Sequence, residues 1–111
     1  KMNPGDFKQR LTFQIPAGGR DEDGYPITEP AVYTKAWGSL RTLRGQTRFI
    51  AAQSQMQHHR EFAIRYQRKL EDDERPKNLE LVWKGKRHEI ESIENDDGLN
   101  QTMTVFCKAV T

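Results

Sequence analysis

The sequence predicts a mainly β fold: a small six-stranded β-barrel or sandwich, with one short helix and a long loop between strands 2 and 3. Three observations carry this. Short runs with a period of two recur along the chain, and that is the periodicity of half-buried strands. Turn-forming clusters rich in Gly, Pro, Asn and Asp separate most of them. Between the second and third runs the turn chemistry gives way to a polar, Gln-rich stretch too long for a hairpin.

The elements follow in order. Over Lys8 to Pro16, Leu11, Phe13 and Ile15 alternate with Thr12 and Gln14, giving strand 1. Residues 17–26 hold Gly18, Gly19, Gly24 and Pro26 and form a turn. Asp21-Glu-Asp-Gly24 lacks the alternating ligands and distal Glu of a calcium loop, so it is a solvated hairpin tip. Ala31 to Leu40 is strand 2, with Tyr33 and Trp37 suited to a pleated surface. Gly38 marks a bulge or a close backbone approach. Gly45 then breaks the chain. Residues 46–57 contain neither Gly nor Pro, and Phe49, Ile50, Gln53 and Met56 share an approximate helical face, so a short helix is expected there. A helix this short needs docking or assembly to form.

Glu61 to Gln67 is strand 3, with Phe62, Ile64 and Tyr66 on one face. A polar, mostly acidic linker covers residues 69–78. Leu79, Leu81 and Trp83 alternate in strand 4. Gly85-Lys86 reads as a tight hairpin turn into strand 5, Arg87 to Ile93. The three-residue spacing of Ile90 and Ile93 breaks the alternation and places a bulge or a strand end between them. Asn95-Asp-Asp-Gly98 is a further turn. Met103 to Val110 is nearly continuous in apolar character and reads as a central strand.

The length of 111 residues fits one domain, residues 1–111, with a real core. The chain is 34% hydrophobic and 31% charged, so that core is modest and the surface well charged. Its one cysteine, Cys107, sits in an apolar run and reads as a small buried hydrophobe; no internal disulfide can form. No apolar run approaches the ~20 residues that span a bilayer, and the first residues carry no signal-peptide core. The expected setting is the cytoplasm, without membrane contact.

Net charge is +2, but its distribution is uneven. Residues 1–30 sum to −1, residues 31–69 to +7 and residues 70–111 to −4. Within the central segment only Glu61 is acidic. A basic segment between acidic ends suits a polyanion, an acidic protein face, or charges balanced in space by the ends themselves.

Enzyme chemistry finds little support. His58 and His59 are adjacent, so on a strand they point to opposite faces, and no motif joins His88 to either; no metal site is expected. Cys107 lacks the open, electropositive setting of a nucleophile. No phosphate-cradling glycine motif follows a strand, and the carboxylates cluster in turns, where they are solvated. No catalytic residue, cofactor or metal is assigned. Arg41, Arg44 and Arg48 repeat at spacings of three and four and suit phosphate contact without base reading. With only Phe49 as a nearby aromatic, a single-strand stacking platform is disfavoured.

Taken in order, these motifs resemble the phage head–tail joining family, the head-closure or stopper proteins of long-tailed phages and prophages. The resemblance rests on Arg10-Leu-Thr-Phe-Gln14 and the turn at Asp23-Gly24, then on Lys35-Ala-Trp-Gly-Ser-Leu40. It continues through Leu43-Arg-Gly45, Phe62-Ala-Ile-Arg-Tyr66, the hairpin Val82 to Ile90 with Ser92-Ile93, and Asp96-Asp97 before a Cys-bearing last strand. Two departures stand out. Gln46 follows Gly45 where the family often has an acidic residue, and the linker before Pro76 is unusually acidic.

The resemblance implies a non-enzymatic structural protein. It would form a ring at the head–tail interface that closes the DNA exit channel after packaging and docks the tail. Its implied partners are copies of itself, the portal-adaptor protein, a tail or tail-completion protein, and the packaged double-stranded DNA. Its implied location is the host cytoplasm during assembly and then the virion. In such rings the long loop, mobile in the free protein over about residues 41–57, projects toward the channel. Arg41, Arg44, Arg48, Phe49, Gln53 and Gln57 then form the channel or assembly loop, facing DNA or a neighbouring subunit. Two other readings fit the residues: a tail-completion or minor tail ring protein of similar fold, and a generic nucleic-acid-binding β-barrel.

Overall fold

A computed structural model describes residues 7–41 and 59–110. They form six strands: β1 (Gln9–Ile15), β2 (Ala31–Arg41), β3 (His59–Arg65), β4 (Glu80–Trp83), β5 (Lys86–Asn95) and β6 (Thr102–Ala109). The strands close into a barrel in the order β1-β2-β3-β6-β5-β4, with β4 pairing back to β1 and every neighbour antiparallel. Closure leaves each strand with two neighbours and so manages the exposed-edge problem of a small sheet. The helix expected over 46–57 falls outside the described residues. Among those described, only short 3-10 helices occur, at Arg68–Leu70 and Asp96–Gly98.

The alternation seen in the sequence decides which side chains fill the barrel. Leu11 and Phe13 of β1, Phe62 and Ile64 of β3, Leu81 of β4, and Met103, Val105 and Cys107 of β6 are fully buried in one cluster. Ile15, Tyr66 and Trp83 pack against it. The parity break in β5 is a bulge: Ile90 faces Cys107, but Ser92 faces Phe106, so Glu91 is the extra residue. A second bulge, in β2, has no counterpart in the sequence reading. Phe13 faces Thr34 and Gln14 faces Val32, which leaves Tyr33 unpaired. Gly38 is a close approach rather than a bulge. A Cβ there would lie 2.9 Å from Leu11 Cδ1, 3.0 Å from Ile64 Cγ2 and 3.1 Å from the Ala63 carbonyl oxygen.

Three expectations need correction. The hairpin turn lies one residue earlier, at Lys84-Gly85, since Trp83 pairs with Lys86. Both turn residues have positive φ, 52° and 75°, as a type I′ turn requires. The acidic linker is not simply a solvated connection: Leu70, in its midst, is fully buried and joins the core, as does Leu79. Arg75 Nη1 donates to the Leu70 carbonyl at 3.1 Å and Tyr66 Oη donates to Glu71 at 3.1 Å, so this segment straps over the barrel end. Finally, not every carboxylate is solvated. Glu80 is buried, and Arg87 grips it through Nε and Nη2 at 3.0–3.1 Å while Gln14 donates to it at 2.7 Å. That grip holds the Arg87 guanidinium above its usual pKa, first through the hydrogen bonds and then through the charge of Glu80.

The strand directions define two ends. The near end carries the first described residues, the ends of β2 and β6, the start of β3 and the Lys84-Gly85 turn. The far end carries the 16–30 connection, the 66–79 strap and the 96–101 turn.

Candidate functional site

The near end is where the sequence places the working residues. The β2–β3 ladder runs from Gly38 opposite Ile64 to Arg41 opposite Glu61. Arg41 is therefore the last residue of β2 rather than the first of a loop. Its Nη1 lies 3.5 Å from Glu61 Oε2, with the two side chains 51% and 33% exposed to solvent. An exposed pair at that distance contributes at most about 1 kcal/mol and leaves the guanidinium available to another anion. The remaining expected site residues, Arg44, Arg48, Phe49, Gln53 and Gln57, lie outside the described residues, as does His58.

Beside Arg41, the near end carries cations that the sequence reading did not single out. Arg60, Lys84, Lys86 and Arg87, with Trp83 and His88, line an open cleft of about 870 Å³. The tight turn lifts Lys84 and Lys86 to its rim, and Lys84 Nζ lies 5.1 Å from the Trp83 ring centroid. Trp83 is itself fixed by donation from Nε1 to Gln9 at 3.0 Å and by an edge contact with Phe62 at 5.3 Å. The signal for this rim lay in the Lys84-Gly-Lys86 hairpin, whose closing turn necessarily projects from a barrel end.

The titratable groups here are structural. Cys107 is fully buried, its thiol pushed up to about 12 by burial, so almost no thiolate exists near neutral pH. Burial likewise holds the His88 imidazole below its usual pKa, with Arg60 and Lys86 adding to the effect against hydrogen bonds to the Lys86 and Leu81 backbone. His59 Nε2 lies 3.3 Å from Glu91, and its buried Nδ1 finds no partner among the described residues. No group of three or more His, Cys, Asp or Glu side chains converges among the described residues. What this end can do is offer positive charge on a fixed framework. No helix among the described residues is long and apolar enough to cross a membrane.

Comparison with known proteins follows from this geometry. The solution structure of protein SF1141 from Shigella flexneri 2a superposes with a TM-score of 0.62 at 17% identity, covering 97% of this chain and 96% of that one. At that identity the likeness speaks for the fold alone. No curated protein sequence gives a match. The family model of the phage head completion proteins, by contrast, matches residues 2–110, nearly the whole chain. The chain belongs to the phage head completion protein family, a family of structural phage proteins.

Proposed function

We propose that the protein is a head–tail connector that assembles into a ring, closes the DNA exit channel after packaging and docks the tail. The family match carries the reading. The barrel supports it by its division of labour: a closed wall brings the end of β2 and the start of β3 to one end, the end that also carries Arg41, Arg60, Lys84 and Lys86. Positive charge aimed from a fixed rim suits a duplex passing by, because phosphate contact needs no base reading. In this reading Arg41, Arg44 and Arg48 face the DNA path, and Phe49, Gln53 and Gln57 complete the assembly loop. The portal-adaptor protein lies on one side of the ring and the tail or tail-completion protein on the other.

Charge reversal tests this. Particles built with R41E/R44E/R48E should leak packaged DNA or fail to join tails. Normal DNA retention and joining would overturn the role of the arginines. Strong, salt-dependent binding of the isolated protein to free duplex would favour a nucleic-acid-binding barrel instead.

A further inference from the structure

A second open cleft lies on the barrel wall, apart from the Lys84-Gly85 turn. It sits at the seam where β2 and β3 part, since their ladder covers only Gly38 to Arg41 against Ile64 to Glu61. The cleft holds about 700 Å³ and is lined by Phe7, Lys8, Lys35, Trp37, Arg65 and Gln67, among others. Trp37 is 53% exposed, and Arg10 stacks over its ring at 5.3 Å. Arg65 lies over the Phe7 ring at 5.8 Å. None of Lys8, Arg10, Lys35 and Arg65 forms an ion pair among the described residues. The result is an aromatic floor with four cations around it and no carboxylate among the described residues of its lining.

The far end carries a structure of opposite character. In the 16–30 connection, Tyr25 is 68% exposed beside Glu22 and Asp23. This tip is held rigidly. Asp21 Oδ1 accepts from the backbone N–H groups of Asp23 and Tyr25 at 2.9 and 3.0 Å, and Arg20 Nη1 donates to the Gly24 carbonyl at 2.8 Å. Backbone bonds from Gly18 to Ile27 and from Ile27 to Gly19 close its base. Asp21 is thus used within the tip, while neither Glu22 nor Asp23 forms an ion pair among the described residues.

We propose that the acidic tip of one copy docks in the seam cleft of the next, with Tyr25 against Trp37 and the carboxylates of Glu22 and Asp23 on Lys35 and Arg65. The two surfaces match in charge and each offers an exposed aromatic ring. The tip is already ordered, so little conformational entropy opposes docking. Tip and cleft are different surfaces of one chain, so the contact is head-to-tail, the kind that closes into a ring when the rotation allows. The inference rests on the ring reading above and gives it an interface.

Concentration-dependent amide shifts test it directly. At about 1 mM, where weak contacts become populated, shifts should move in residues 21–25 and around Lys35, Trp37 and Arg65. E22K/D23K and K35E/R65E should each weaken the association about tenfold or more, while an equimolar mixture of the two variants restores it. Each variant's own dispersed spectrum reports that it is folded. Absence of these shifts, association through other surfaces, or variants that associate as wild type would overturn the proposal. So would cleft shifts that arise only on adding DNA. Tail joining is scored separately. Self-association through tip and cleft in a protein that fails to join tails would sink the connector reading and leave the contact standing; normal joining without the contact would do the reverse.

Discussion

At the far end of the barrel three connections are each fastened from within; at the near end a tight turn and a basic rim stand open. The far-end connections carry four carboxylates in 16–30, four in 66–79 and two in 96–101, against one, four and no basic side chains. Asp21 braces the tip, Leu70 anchors the strap, and Asp96 accepts from Thr102 and Thr104 at 2.8 Å each. The near end carries Arg41, which faces Glu61 across the β2–β3 ladder, and Arg60, Lys84 and Lys86 along the cleft. The contrast separates two tasks. Rigidity and acid sit at one end and accessible positive charge at the other, so the molecule has a direction before it meets any partner.

The largest test of this contrast truncates an apolar side chain at each end. Leu70→Ala should cost about 2–5 kcal/mol, because it empties a fully buried site. Val110→Ala, at an exposed near-end residue, should stay within about 0.5 kcal/mol. Chemical denaturation of both variants decides it, and equal losses would erase the distinction. Next comes the wall between the ends. Gly38→Ala forces a methyl group against Leu11, Ile64 and the Ala63 carbonyl, and should cost about 1–3 kcal/mol. A neutral result would mean that the wall yields.

Asp96→Ala should cost about 1–2 kcal/mol, since it strips the buried Thr104 hydroxyl of its acceptor. Unfolding curves with unchanged midpoint would show that the 96–101 turn is not fastened as described. The smallest effect concerns His88 at the near end. Its folded pKa lies below the unfolded value of about 6.5. The unfolded chain therefore takes up a proton first as pH falls. Stability from this group is fully present above about pH 6.5 and declines as pH drops below it. His88→Leu should flatten that part of the stability–pH profile, and an unchanged slope would remove the histidine from the account.

Strands and inward faces were legible because alternation is a local property. Leu11 with Phe13, Phe62 with Ile64, and the broken parity at Ile90 and Ile93 each declare a face within a few residues. What escaped depends on partners distant in sequence. Leu70 sits among charged residues, and only the closed barrel reveals the end it seals. Glu80 needs Arg87 and Gln14 to converge before its burial makes sense. The turn at Lys84-Gly85 was misplaced by one residue because a lysine in left-handed backbone is uncommon. For the site, the central basic segment pointed to the near end. Arg41 belongs to the strand, and Arg60, Lys84 and Lys86 join it only through the barrel's closure.

The seam between β2 and β3 carries a last consequence. Beyond Gly38 no backbone ladder joins these strands; Gln67 Nε2 donates to the Lys35 carbonyl at 2.9 Å and Lys69 Nζ to the Tyr33 carbonyl at 2.9 Å. Thr34 Oγ1 donates to Gln67 Oε1 at 2.8 Å, and Tyr33 Oη donates to the Lys69 carbonyl at 2.8 Å. Side chains here do the work of a missing strand. They occupy carbonyls that would otherwise template a foreign strand, so Gln67 and Lys69 act as guards against edge-to-edge aggregation.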